Sequence, residues 1–141
     1  MNNTVKNILV VIAGVIVGSV VNIALVNAGP YIVPLPEGAD VSTRESLAAS
    51  MHLFSPMNFL FPFLGHAIGT LVGAFVVAKF AASHAMKLAL GIGAFFLLGG
   101  IAAANMLGGP AWFIAADLLL AYLPMAWLGA FLAKPAEMRA G

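Results

Sequence analysis

The chain has 141 residues, 62% of them hydrophobic and 8% charged, with six Lys and Arg against five Asp and Glu and no cysteine. So little charge cannot coat a soluble domain, in which about a quarter of residues are charged. The balanced charge leaves no basic surface for nucleic acid, and the missing cysteines exclude disulfides, thiol nucleophiles and thiolate metal sites.

After a short polar leader, residues 7–28 form an unbroken apolar run. At ~1.5 Å per residue it is long enough to cross a bilayer core of ~30 Å. It also exceeds the apolar region of about 7–15 residues in a cleaved secretory signal, so it reads as a first transmembrane helix. Gly29-Pro30 is expected to end it, and Tyr31 to Pro36 reads as an extended, proline-stiffened connector. Ser42-Thr43-Arg44-Glu45 has the form of a capping box, with Ser42 as N-cap and Glu45 reaching back. The helix it starts carries Leu47, Met51 and Phe54 on one stripe, suited to lying in the membrane interface. Connector and amphipathic helix together occupy residues 29–55.

Ser55-Pro56 caps a second span over residues 57–80. Pro62 lies inside it and offers no N–H to the carbonyl of Asn58, so a kink or local opening is expected there. A third span covers residues 88–107, Gly108-Gly109-Pro110 makes a turn, and a fourth span covers residues 111–133 with Pro124 near its middle. A tail of residues 134–141 follows. The expected fold is all-α: a single polytopic membrane domain of four transmembrane helices in an up-down bundle, with a short outer amphipathic helix.

Lys6, Lys79, Lys87, Lys134 and Arg139 fall on the side shared by the two termini, whereas Arg44 lies opposite with Glu37, Asp40 and Glu45. The positive-inside rule then puts both termini in the cytoplasm and residues 29–56 outside. Within the membrane, Gly65, Gly69 and Gly73 share one face of the second span with Pro62 and His66, and Gly14, Gly18 and Asn22 share one face of the first. Small residues four apart let helix backbones approach closely, so the two stripes are expected to meet, or one of them to face a second copy. A chain this short hardly encloses a wide pathway, which favours a homo-oligomer or a membrane-protein partner within the lipid bilayer.

Four polar side chains sit in the outer half: Asn22, His66, Asn105 and Asp117. His66 and Asp117 lie ~14 and ~9 Å below the outer ends of their helices, close enough for their side chains to meet. A carboxyl group in hydrocarbon costs several kcal/mol unless paired, and His66 is the one ionisable partner at its depth. The pair reads as a proton-responsive pocket lined by Asn22 and Asn105, or else as a hydrogen-bonded pair that only fixes helix register. His52 and His84 fall elsewhere, so no second membrane histidine is present for a haem, and no metal motif or other cofactor is expected. No nucleophile elbow or phosphate-binding glycine loop occurs, so an enzyme is not expected.

The four spans, the outer Pro-Leu-Pro-Glu-Gly connector, Pro62 to Leu71 and Tyr122 to Trp127 together resemble small four-span bacterial inner-membrane proteins of about this length. That resemblance implies an inner-membrane location and no activity. Gly69-Thr70-Leu71-Val72-Gly73 is similar to a run in the fluoride channels, but their first-span arginine and Thr/Ser-rich third span have no counterpart here. The small multidrug transporters need an acid in the first span, which residues 7–28 lack. Three functions stay open: a small transport or channel-like protein using the His66/Asp117 pocket, an accessory subunit docked through the glycine faces, or a membrane-embedded enzyme acting on a lipid or quinone.

Overall fold

The computed structural model describes residues 1–135, so Arg139 and most of the tail lie outside the described residues. Six α-helices follow in order: α1 (Asn3–Ile32), α2 (Arg44–Ser50), α3 (Leu60–Phe80), α4 (Ala85–Leu107), α5 (Ala111–Leu120) and α6 (Leu123–Ala133), with 3-10 turns at Met51–Leu53 and Pro56–Phe59. There is no strand among the described residues. Four helical stretches are long and apolar enough to cross a membrane: Asn3–Ile32, Pro56–Phe80, Ala85–Leu107 and Ala111–Ala133. The protein is an all-helical, multi-pass membrane protein.

α1 starts earlier and runs further than the apolar run alone suggests. Asn2 caps it by accepting from Val5 N–H at 2.8 Å. At its far end Pro30 stays inside the helix, and Val33 N–H still donates to the Gly29 carbonyl at 2.8 Å. Proline removes only its own donor, which apolar membrane helices tolerate, so Tyr31 and Ile32 are helical rather than part of the extended connector.

The cap of α2 falls one residue after the expected position. Thr43, not Ser42, is the N-cap: its hydroxyl accepts from Ser46 N–H at 3.1 Å, and Thr43 N–H donates to Ser46 Oγ at 3.0 Å. Glu45 sits in the first turn instead of closing the box. Ser42 N–H donates to Asp40 Oδ1 at 2.9 Å, which ties it to the preceding turn. The helix is also shorter than the Leu47, Met51, Phe54 stripe implies, because the chain tightens into the 3-10 turn at Met51.

The second span opens as a 3-10 turn capped reciprocally by Ser55 and Asn58. Pro62 then occupies the first turn of α3, where a missing N–H costs little, so the expected opening takes the form of a change from 3-10 to α at Leu60. α4 begins three residues before the expected third span, and its N-cap is His84 in the left-handed region at φ 54°. The fourth span is two helices rather than one. Pro124 cannot donate to the Leu120 carbonyl, α5 closes with Ala121 N–H on the Asp117 carbonyl at 3.0 Å, and α6 opens with Ala126 N–H on the Tyr122 carbonyl at 2.8 Å.

α3 is the hub of the bundle and packs against α1, α4 and α6, while α1 touches little besides α3. The buried centre is built from small residues, with Ala74, Val77, Ala89, Ile92, Ala126 and Ala130 in one cluster. Large apolar side chains point outward instead, as Ile8, Ile12, Ile16, Val20 and Ile23 do along α1. That is the arrangement expected where lipid replaces water and helices hold together by close packing. The glycine stripes of α1 and α3 face each other: a Cβ on Gly73 would stand 2.7 Å from the Gly14 carbonyl oxygen, and one on Gly69 would stand 2.7 Å from that of Gly18. At one end the side chain of Asn7 closes the pair, accepting from Ala82 N–H at 2.8 Å and donating to Ser83 Oγ at 3.0 Å.

Candidate functional site

Asp117 is carried on α5 one turn before the break and is 5% exposed, the most deeply buried carboxyl group among the described residues. His66, on α3, meets it with Nδ1 2.8 Å from Oδ1. Tyr122, at the break, donates its hydroxyl to the other oxygen, Oδ2, at 3.1 Å. The Tyr122 and His66 rings stack at 5.8 Å with 25° between their planes. The buried Thr70 hydroxyl donates to the His66 carbonyl at 2.7 Å, holding that turn of α3 from within.

The break explains how Tyr122 joins the group. On a continuous helix, residues five apart point about 140° away from one another. Pro124 interrupts the helix just beyond Tyr122, whose backbone takes φ −113°, ψ −81° and turns the ring back onto Asp117. The hydroxyl needs a glycine opposite: a Cβ on Gly100 would meet Tyr122 Oη and its ring at 2.5–2.8 Å. Two sequence signals therefore pointed to a tyrosine the sequence reading left out, the mid-span proline and a glycine on the neighbouring helix.

The four polar residues expected in the pocket separate. Asn22 lines a cavity of about 260 Å³ with His66, Thr70, Phe96, Gly100 and Tyr122, between α1, α3 and α4. Its Oδ1 is buried against Gly65 without a hydrogen-bond partner. Asn105 is exposed on the outer surface of α4 and takes no part in the cavity. It stands two residues from the end of that helix, where water or headgroups reach a polar side chain, and its depth in the sequence did not reveal its face. Among the packing glycines, Gly65 leaves room for Asn22, and Gly14, Gly18, Gly69 and Gly73 form the α1–α3 contact.

A second cavity of about 180 Å³ lies on the other side of His66, under the segment that joins α1 to α3. Its walls are apolar, among them Leu47, Met51, Phe54 and Phe113, and it reaches down to His66 and Asp117. His66, Gly100 and Ala103 border both cavities, so the imidazole stands between a mainly apolar chamber and a more polar one. Outside the membrane-spanning segments, donation from the Ser42 hydroxyl and then from its backbone N–H holds the Asp40 carboxyl below its usual range. No three His, Cys, Asp or Glu among the described residues stand close enough to hold a metal ion.

Tyr122→Phe removes one donor from a buried carboxylate and keeps the ring. The variant is expected to lose about 1–3 kcal/mol of stability, the cost of a buried acceptor left unmade. Unfolding in mixed micelles against the parent measures it, and an unchanged midpoint would show that water replaces the phenol. Comparison with family models, with curated proteins and with solved structures gives no match.

Proposed function

We propose that the protein is a small bacterial inner-membrane transport protein, with both termini cytoplasmic, and that His66, Asp117 and Tyr122 form its solute-binding and proton-responsive centre. One observation carries this reading. An ionisable pair, bonded at 2.8 Å and joined by a buried tyrosine, stands at the wall of a 260 Å³ cavity in an otherwise apolar bundle. Ionisable groups inside a membrane domain are costly, and when they border a cavity they mark solute or proton pathways.

The interrupted fourth span supports the same reading. Discontinuous membrane helices recur at transporter sites because a broken helix offers backbone groups and a hinge at mid-depth. The packed cluster of Ala74, Ala89, Ala126 and Ala130 fills the half of the bundle nearer the termini. Close packing there supports a carrier over an open pore. The orientation rests on the lysines at the terminal side, Lys6, Lys79, Lys87 and Lys134, against Glu37, Asp40 and Glu45 on the other.

Reconstitution tests it. With an entrapped pH dye and an imposed membrane potential, the parent in liposomes is expected to move protons above the rate of empty vesicles, and Asp117→Asn to fall to that background while remaining folded. Equal rates for parent, variant and empty vesicles would sink the transport reading and leave an accessory subunit as the better account.

A further inference from the structure

The hydrogen-bond pattern at the pair defines what the cavity is able to recognise. Tyr122 donates to Oδ2 of Asp117, and a carboxylate that accepts on both oxygens puts the proton of the 2.8 Å bond on His66 Nδ1. In the neutral ring Nε2 then carries the lone pair. Among the described residues it has no protein partner, and it is not buried, since the imidazole keeps 24% of its surface. Asn22 borders the same cavity and brings a second acceptor, Oδ1, which is buried against Gly65 and without a donor. The last torsion of asparagine is broad, so turning the amide is the movement by which that oxygen would meet a bound cation.

The charges agree with the acceptors. The lining residues from α1 and α4 carry no charge, and among the described residues bordering the cavity the ionisable side chains are His66 and Tyr122, with Asp117 directly behind them. With a neutral imidazole the centre holds one uncompensated negative charge in an apolar surround, which favours a monovalent cation. The ring of Phe96 forms part of the wall, a surface that attracts organic cations. On the connector side Glu37, Asp40 and Glu45 outnumber Arg44 and are exposed, so that face draws cations toward the bundle.

We propose that the cavity between α1, α3 and α4 binds a small primary ammonium compound, its N–H groups donating to His66 Nε2 and Asn22 Oδ1 and its charge balancing Asp117. This names the substrate class of the transport reading and rests on it. Two acceptors favour a cation that carries N–H over one that does not, and a volume of about 260 Å³ admits a short carbon chain beyond the nitrogen.

The test uses full-length protein in detergent carrying His52→Gln and His84→Asn, both exposed positions, so that one histidine remains. Methylammonium chloride is titrated against tetramethylammonium chloride at equal ionic strength, and the imidazole 15N signals are followed. Methylammonium is expected to move the unprotonated Nε2 signal saturably and to raise the unfolding temperature, with tetramethylammonium doing neither. Asn22→Ala is expected to bind methylammonium about tenfold more weakly, the loss of one charge-assisted hydrogen bond. No response to methylammonium, or an equal response to both cations, overturns the proposal. Proton flux in liposomes is read separately: flux that survives without amine binding removes the ligand class and keeps the transport reading, whereas binding without flux does the reverse.

Discussion

Replacing His66 by alanine is expected to cost about 3 kcal/mol of stability, the upper end of what leaving a buried acceptor short of a donor costs, because the acceptor is a charged carboxylate. The carboxyl group of Asp117 would keep one donor, Tyr122, and lose the other, while 7% exposure of its side chain leaves water little access. The companion result is the larger test. In the double variant His66→Ala/Asp117→Leu no charge is left behind, and much of the lost stability should return, because replacing both partners of a buried pair by apolar groups is often neutral. Reversible unfolding in mixed micelles of the parent, both single variants and the double gives the coupling directly. If the double variant is as unstable as the sum of the singles, the two residues do not act on one another, and the site is not a pair.

Gly69→Leu is expected to undock α1, with a loss of 3 kcal/mol or more, in the range reserved for severe overpacking. Even a Cβ at Gly69 stands 2.7 Å from the Gly18 carbonyl oxygen and 3.1 Å from Asn22 Cβ, and the obstacle at Gly18 is backbone, which cannot swing aside. Because α1 packs on little besides α3, the Asn7 bonds to Ala82 and Ser83 at one end are the main other hold on it. The chain has no cysteine, so spin labels at Ile8→Cys and Phe80→Cys, exposed positions at the end of α1 and α3 that Asn7 closes, report that contact without background. The labels should be close in the parent and widely spread in Gly69→Leu. Gly91→Ala is the control of opposite sign: nothing lies within 4 Å of its added methyl, and the helix gains up to about 1 kcal/mol. Unchanged label distances in Gly69→Leu would mean that the stripe of glycines does not set the packing.

Much of this architecture was legible because its causes are local. Uninterrupted apolar length fixes four spans, and glycines four apart fix which faces of α1 and α3 come together. Ser42-x-x-Glu45 and Thr43-x-x-Ser46 are overlapping caps of the same form, and only the turn at Asp40, which takes the Ser42 N–H, decides between them. The pairing of His66 with Asp117 followed from depth and cost. Tyr122 did not, because helical periodicity turns it away from Asp117 and only a tertiary break turns it back. Asn105 was misjudged for the converse reason: depth was known and azimuth was not. Pro30 and Pro62 were both read as interruptions, yet Pro62 lies in the first turn of its helix, where a missing donor matters least, and α1 runs only to Ile32 beyond Pro30.

The unusual length of α1 has a bearing on the bilayer itself. Thirty helical residues span ~45 Å, against a hydrocarbon core of ~30 Å. The excess must be taken up by tilt or by overhang. Asn7 pins one end to the turn at Ala82 and Ser83, so the surplus collects at the other, where Tyr31 and Ile32 are exposed and the strap to α2 begins. A thicker bilayer therefore covers more of that overhang, and a thinner one leaves Tyr31, Ile32 and the start of the connector in the headgroup region or in water.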